Sequence, residues 1–284
     1  MEIISCKAIA DRIKQDVKNE VTELKKLGIK PTLATIQIGS MKDDESYLKI
    51  VRKNCEQVGI KLIELDFSST ISEDSILEIN QNIRDRCTNL IHGVLFLSNI
   101  PNSLNRDLIF NSIDPAKDTD CVTFVNIGRL YQGNPLVKPC TAEAVVEILK
   151  TVTSLKGKNV AVLGRSNIVG KPASFLLSDE NATVTICHSK TENLPKKASE
   201  ADILVSAVGK AKFVNRSFIK DGAVIIDCGI NFDEHGTLCG DVDFNDVKDK
   251  ISFITPVPSG VGVVTNAILL RNLVKLCKYQ HNIV

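Results

Sequence analysis

Ile9, Ile13, Val17 and Val21 recur every four residues, a spacing that predicts an amphipathic helix from about Lys7 to Lys26, stopped by Gly28. The period then changes. Thr32 to Ile38 (TLATIQI) is short and β-branched and reads as a buried strand. A helix from Ser46 to Val58 ends at Gly59, a strand covers Lys61 to Phe67, and a helix covers Ser72 to Arg86. Gly93 to Leu97 (GVLFL) is a further apolar strand. Past Leu130 the chain turns through Gly133, Pro135 and Pro139, a candidate boundary between domains. A helix from Thr141 to Val152 opens a second series, with strands at Asn159–Leu163, Thr183–Cys187, Ile203–Ala207 and Val224–Asp227. Those strands are apolar along their length, as expected where helices cover both faces of a parallel sheet. The last segment, Gly262 to Tyr279, is again helical and is placed to pack back on the first half. The expected architecture is α/β in two lobes: an N-terminal three-layer α/β domain of residues 1–138 plus 263–284, and a parallel-sheet domain of residues 139–262.

Composition narrows the class. With 43% apolar and 24% charged residues, the chain has the mix of an ordinary globular protein. A formal net charge of +1 gives no overall field toward nucleic acid or an anionic membrane. No apolar run reaches the roughly 18–20 residues that cross a bilayer, and the first residues lack the pattern of a signal peptide. Nine cysteines, none in a CxxC pair, read as reduced thiols of a cytoplasmic protein. The four histidines lie far apart in sequence without ligand spacing, so no metal is expected.

Candidate chemistry begins at NVAVLGRSNIVGKPASFLL, which reads as strand, tight turn and helix. Gly164 ends the strand, and Gly170 sits where the helix passes close to the turn. Such a turn aims backbone N–H groups and a helix N-terminus at a pyrophosphate, as in Rossmann-type NAD(P)-binding domains. The pattern is GRSxxxG, not GxGxxG, so an ordinary βα turn remains an alternative at this point. The next strand ends in His188–Ser189–Lys190, without the carboxylate that holds a ribose 2′-OH. Together with Arg165 these donors suit a 2′-phosphate, favouring NADP over NAD.

The blocks SYLKIVRKNCEQVGI, IDPAKDTD, GRSNIVGKP, ATVTICHSKT, ADILVSAVGK, VIIDCGIN, GDVDF and TPVPSGVG occur in this order. The set closely resembles the methylenetetrahydrofolate dehydrogenase/cyclohydrolase family over nearly the whole chain. The resemblance implies a homodimeric enzyme acting on tetrahydrofolate derivatives, with folate in the N-terminal lobe and NADP in the Rossmann lobe. By motif, Gly164, Arg165, Ser166 and Gly170 belong to the cofactor phosphates, Ser189 to the 2′-phosphate, and Ile230 to the nicotinamide end. Asp120 of KDTD matches the aspartate that bonds the pterin, and Tyr47 the tyrosine that packs over the reacting folate carbon. Pro256, Gly260 and Gly262 belong to a loop beside the substrate.

The chain also departs from that pattern. The family carries a Tyr-x-x-x-Lys pair, but the residue four after Tyr47 is Val51. A glutamine that supports that lysine becomes Leu97, with Ser98 and Asn99 following. Cys121 and Ser259 stand where glycines are usual, Ala142 and Ala144 alter the PCTPxG block, and Asp44 replaces a serine. Hydride removal needs chiefly alignment of donor and acceptor, whereas hydrolysis of the methenyl bridge needs a group that handles protons. Valine and leucine supply none. The expectation is therefore an NADP-linked dehydrogenase with weak or absent cyclohydrolase activity. Its alternatives are a bifunctional enzyme using Asp44 or Asp120, or a non-catalytic folate- and NADP-binding paralogue.

Overall fold

The computed structural model describes residues 1–39, 42–87, 89–97 and 100–283, the side chains of 42–44 excepted. In chain order the first elements are β1 (Glu2–Ile3), α1 (Cys6–Lys26), β2 (Thr32–Ile38), α2 (Lys42–Val58), β3 (Lys61–Phe67), α3 (Glu73–Arg86) and β4 (Gly93–Phe96). Short helices α4 (Arg106–Asn111) and α5 (Phe124–Tyr131) lead to α6 (Cys140–Leu149). Then follow β5 (Asn159–Leu163), α7 (Gly170–Asp179), β6 (Thr183–Cys187), α8 (Leu194–Ala198), β7 (Ile203–Ser206) and β8 (Ala223–Asp227). A hairpin of β9 (Asn231–Phe232) and β10 (Leu238–Cys239), α9 (Phe244–Val247), β11 (Ile251–Ile254) and α10 (Val261–Gln280) complete the chain.

Two compact units result, one of residues 1–11 and 139–265, the other of 12–138 and 266–284. The second holds the parallel sheet β3-β2-β4. Every residue of the central strand β2 is buried, because both faces of the sheet are covered. On one face Ile76 and Ile83 of α3 and Ile109 of α4 pack with Ile36 and Val94. Helix α3 starts where it does because Ser72 Oγ accepts the N–H of Ser75 at 3.2 Å. Toward α10, Gly93 has no room for a side chain: a Cβ there would collide with Leu273 and Thr119.

The first unit holds a six-stranded parallel sheet, ordered β1-β11-β8-β7-β5-β6. Numbered from β5, its strands run second, first, third, fourth, fifth, a doubly wound order whose direction reverses between β5 and β7. Strands β1 and β11 were not anticipated. The two-residue β1 carries no period, and it joins the sheet by pairing Glu2 with Phe253 and Ile3 with Ile254. That pairing places the first eleven residues with the unit of residues 139–265.

Candidate functional site

The glycine turn is sterically specified. Gly164 has φ of +119°, and a Cβ on it would collide with the carbonyl oxygen of Ala207, just past β7. A Cβ on Gly170 would collide with the carbonyl oxygen of Gly164. Both glycines therefore hold open the point where the winding of the sheet reverses, outside the carboxyl ends of β5 and β7, where doubly wound sheets bind ligands. Ser166 Oγ accepts the N–H of Val169 at 3.1 Å and of Gly170 at 3.4 Å, shaping the entry to α7. Arg165 and Ser166 are exposed on this turn. Ser189 and Lys190 are exposed past β6, beside β5 in the sheet. His188 shapes that turn: its N–H donates to Thr191 Oγ1 at 2.9 Å, and its Nδ1 accepts the N–H of Lys190 at 3.2 Å. Ile230 is 71% exposed in the segment following β8.

Beside it lies a buried pair of carboxylates. Burial pushes the Asp227 carboxyl up to about 6, against the pull of the three N–H groups bonded to it. Pro256 and Gly260 follow β11, and a Cβ on Gly260 would collide with the Pro256 carbonyl. Ser259, at a usual glycine position, sits at φ of +69°. Gly262 is exposed near the start of α10.

In the other unit, Tyr47 is half-buried on α2. Val51, one turn on, is 1% exposed, and Cys55, one turn further, is also buried. At Val51 the helix continues its core stripe. Of the neighbouring basic residues, Arg52 makes a two-pronged pair with Glu64, both contacts at 2.8 Å. Lys49 approaches Glu45 at 3.6 Å on the exposed side. Leu97 is 3% exposed past β4, with its N–H donating to Ile36 at 2.9 Å. Ser98, Asn99 and the Asp44 side chain lie outside the described residues.

Asp120 is half-buried, and its mounting is the part that the sequence reading missed. The preceding Asp118, fully buried, accepts the N–H of Val122 and Thr123, the Thr123 hydroxyl and Asn126 Nδ2 at 2.8–3.0 Å. Thr119 is pinned on both sides, its hydroxyl donating to Val94 at 2.7 Å and its carbonyl accepting Asn272 Nδ2 at 3.0 Å. Cys121 adopts φ of +56°, the conformation that accounts for glycine as the usual residue there.

Sequence distance also hid a meeting of histidines. His92 Nε2 lies 3.1 Å from His281 Nε2, and Cys277 lies within 4.8 Å of both. The chemistry of the set is nonetheless that of a hydrogen-bonded pair. His92 Nδ1 accepts the N–H of Thr32 at 3.2 Å, so the neutral ring carries its proton on Nε2 and donates it to His281. A metal on that nitrogen would need the Nδ1 proton, which the Thr32 N–H opposes. Burial holds His92 down to about 4, with His281 and Lys117 adding to the effect. Burial pushes the Cys277 thiol up to about 12, away from the thiolate a metal requires.

A parallel doubly wound sheet with a glycine turn at its reversal point defines a dinucleotide-binding α/β protein, here carrying a second α/β unit. The comparisons narrow this. The NAD(P)-binding domain of tetrahydrofolate dehydrogenase/cyclohydrolase matches residues 139–281, and the catalytic domain of the same family matches residues 4–120. The bifunctional protein FolD of Clostridioides difficile is 47% identical over 283 residues, covering 99% of this chain and 98% of that protein. Its counterpart in Listeria innocua is 44% identical over 278 residues, covering 98% and 97%. Among solved structures, the Campylobacter jejuni FolD superposes with a TM-score of 0.94 at 36% identity, covering 98% and 99%. The Trypanosoma brucei enzyme, solved with NADP and an inhibitor, gives 0.92 at 33% identity, covering 98% and 97%. The chain belongs to the tetrahydrofolate dehydrogenase/cyclohydrolase family.

Proposed function

We propose that this chain is an NADP-linked methylenetetrahydrofolate dehydrogenase whose methenyltetrahydrofolate cyclohydrolase activity is weak or lost. The observation that carries the reading is the burial of Val51 and Leu97, 1% and 3% exposed, at the positions where the family has lysine and glutamine. Neither side chain can take or give a proton, and a positioned proton-handling group is worth roughly 10²–10⁴ in rate. When bound, NADP supplies the hydride acceptor. The residues of the chain hold and orient it: Gly164 and Gly170 let backbone approach the phosphates, with Arg165 and Ser166 beside them, while Ser189 and Lys190 face the 2′-phosphate. Ile230 borders the nicotinamide end. Tyr47 packs over the folate carbon, Asp120 bonds the pterin, and the loop from Pro256 through Gly260 to Gly262 borders the substrate. In this reading the folate site belongs to residues 1–138 and 263–284, the cofactor site to 139–262, and the protein acts as a homodimer in the cytoplasm; among the described residues no helix is long and apolar enough to cross a membrane.

A fully bifunctional enzyme is the second reading, favoured by relatives at 44–47% identity that are named bifunctional. Two assays on purified protein decide between them: methylenetetrahydrofolate with NADP, and methenyltetrahydrofolate alone. NADPH formation without accelerated decay of methenyltetrahydrofolate is the expected result. Accelerated decay establishes the bifunctional reading and makes Asp120 and Asp44 the next residues to substitute. Silence in both, with NADP still bound, leaves a non-catalytic binding protein.

A further inference from the structure

The carboxylates of Asp227 and Asp241 have no role in the site described above. Asp227 closes β8, and Asp241 follows β10 by two residues. Asp227 Oδ1 accepts the N–H groups of Gly229 at 2.8 Å and Asp241 at 3.0 Å, and its Oδ2 accepts that of Val242 at 2.9 Å. Asp241 Oδ2 accepts the Ser206 hydroxyl at 3.0 Å and the Val208 N–H at 2.7 Å. Its Oδ1 accepts the Lys210 N–H at 3.0 Å and Asn231 Nδ2 at 2.9 Å. These partners are neutral donors. They suit two carboxylate anions, since a protonated acid would set its O–H against an N–H. Asp227 and Asp241 are only 4% and 0% exposed, so solvent screens them little.

What the pair holds is specific. The segment Ser206–Lys210 runs on from the last residue of β7 and contains Ala207, whose carbonyl excludes any side chain at Gly164. The segment Gly229–Asn231 follows β8 and carries the exposed Ile230. A Cβ on Gly229 would collide with Asp241, and one on Gly240 with Asp227, so backbone and carboxylates are fitted closely together.

We infer that Asp241, with Asp227 behind it, is a positioning residue that imposes a fixed negative field on the nicotinamide end, selecting the positively charged oxidised ring over the neutral reduced one. This rests on the dinucleotide reading of Gly164, Gly170 and Ile230. The pyrophosphate and 2′-phosphate are common to both cofactor forms and cancel in the comparison. What remains is the ring charge, which an anion at an assumed separation of roughly 10 Å would favour by about tenfold at an effective dielectric near 20.

The test is equilibrium binding of NADP⁺ and NADPH at pH 8, without folate. The unaltered protein is expected to bind NADP⁺ about tenfold more tightly; equal or tighter binding of NADPH overturns the inference without any variant being made. In folded Asp241→Asn and Asp227→Asn proteins the preference should fall toward parity, whereas equal weakening of both forms would show a purely structural role and overturn it. Asn231→Ala removes one hydrogen bond and keeps both charges, so both affinities should fall together with the preference intact. Failure of the unaltered protein to bind either cofactor removes the dinucleotide reading as well, which distinguishes that failure from the loss of this inference alone.

Discussion

The glycine turn after β5 and the helix bearing Tyr47 respond oppositely to departures from the family pattern. At the turn, Gly164 and Gly170 are fixed by collisions with backbone, Ala207 on one side and Gly164 itself on the other. On α2, the position of the usual lysine holds Val51, and the core accepts it as one more buried apolar residue in the stripe that ends in Cys55 and Val58. A cradle built from backbone geometry cannot lose a glycine without moving a loop, whereas a proton-handling side chain can be replaced without disturbing the fold. On the function proposed above, the cofactor site is tied to the architecture and the second chemistry is separable from it.

Several changes break or sharpen this contrast. The largest effect is expected from Gly170→Ala, which drives a methyl into the Gly164 carbonyl. It should cost about 1–3 kcal/mol of stability and abolish measurable NADP binding, read by thermal melts with and without the cofactor. A melt still shifted by NADP as in the parent protein would mean that the turn does not contact the phosphates.

Next is the double replacement Val51→Lys with Leu97→Gln. It should raise the rate of methenyltetrahydrofolate hydrolysis by about 10²-fold or more while lowering stability, because a lysine enters a buried position. No gain in hydrolysis would show that these two positions are not what limits the second activity.

Acid should act on the unit of residues 12–138 and 266–284, which contains His92. His92 is held down to about 4 in the folded protein, against 6.5 for an unhindered histidine. Folding therefore gains from the neutral ring fully above pH 6.5, and the gain is lost as pH falls toward 4, a loss on the order of 3 kcal/mol. Asp227 works the other way: its carboxyl, raised to about 6, contributes stability that is present below pH 3.8 and lost as pH rises through 6. Comparing denaturation of the parent and His92→Gln between pH 7 and pH 4 isolates the histidine. The variant should lose the acid-sensitive slope, and an unchanged slope would assign acid sensitivity elsewhere.

The smallest effects concern two non-glycine residues in left-handed conformation. Ser259→Gly, at an exposed position with φ of +69°, should stabilise the protein by about 0.5–1 kcal/mol. Cys121→Gly, at φ of +56°, relieves similar strain but removes a buried side chain, so its net effect in a denaturant titration should be close to zero.

Much of the fold was legible from local patterning. Helix α1 followed from its four-residue apolar recurrence, and β3, β5 and β6 fell within the predicted residues. The anticipated helix at Ser46 begins earlier, at Lys42, and that expected from Thr141 to Val152 closes at Leu149. Within the site, the spacing of Gly164 and Gly170 could be read because Gly170 answers to the backbone of Gly164 six residues earlier; that Gly164 also abuts Ala207 could not. The scaffold of Asp120 could not. KDTD reads as a turn, and nothing in it says that Asp118 collects four donors while Asp120 is left half-buried. Nor does the GDVDF block tell what Asp241 holds; only its bonds to the segments after β7 and β8 show that.

The sequence by itself determined the alternation of strands and helices, the glycine turn, the absence of a carboxylate after β6, and the apolar residues Val51 and Leu97. These are properties of composition, period and short spacing, which act between near neighbours. Tertiary structure alone decided the strand order, the joining of β1 to β11, the pairing of His92 with His281 and the mutual bracing of Asp227 and Asp241. Each of these joins groups separated along the chain, by 189 residues for the two histidines. A one-dimensional pattern carries no signal for such contacts, because what selects them is the burial of apolar faces and the need of every buried polar group for a partner.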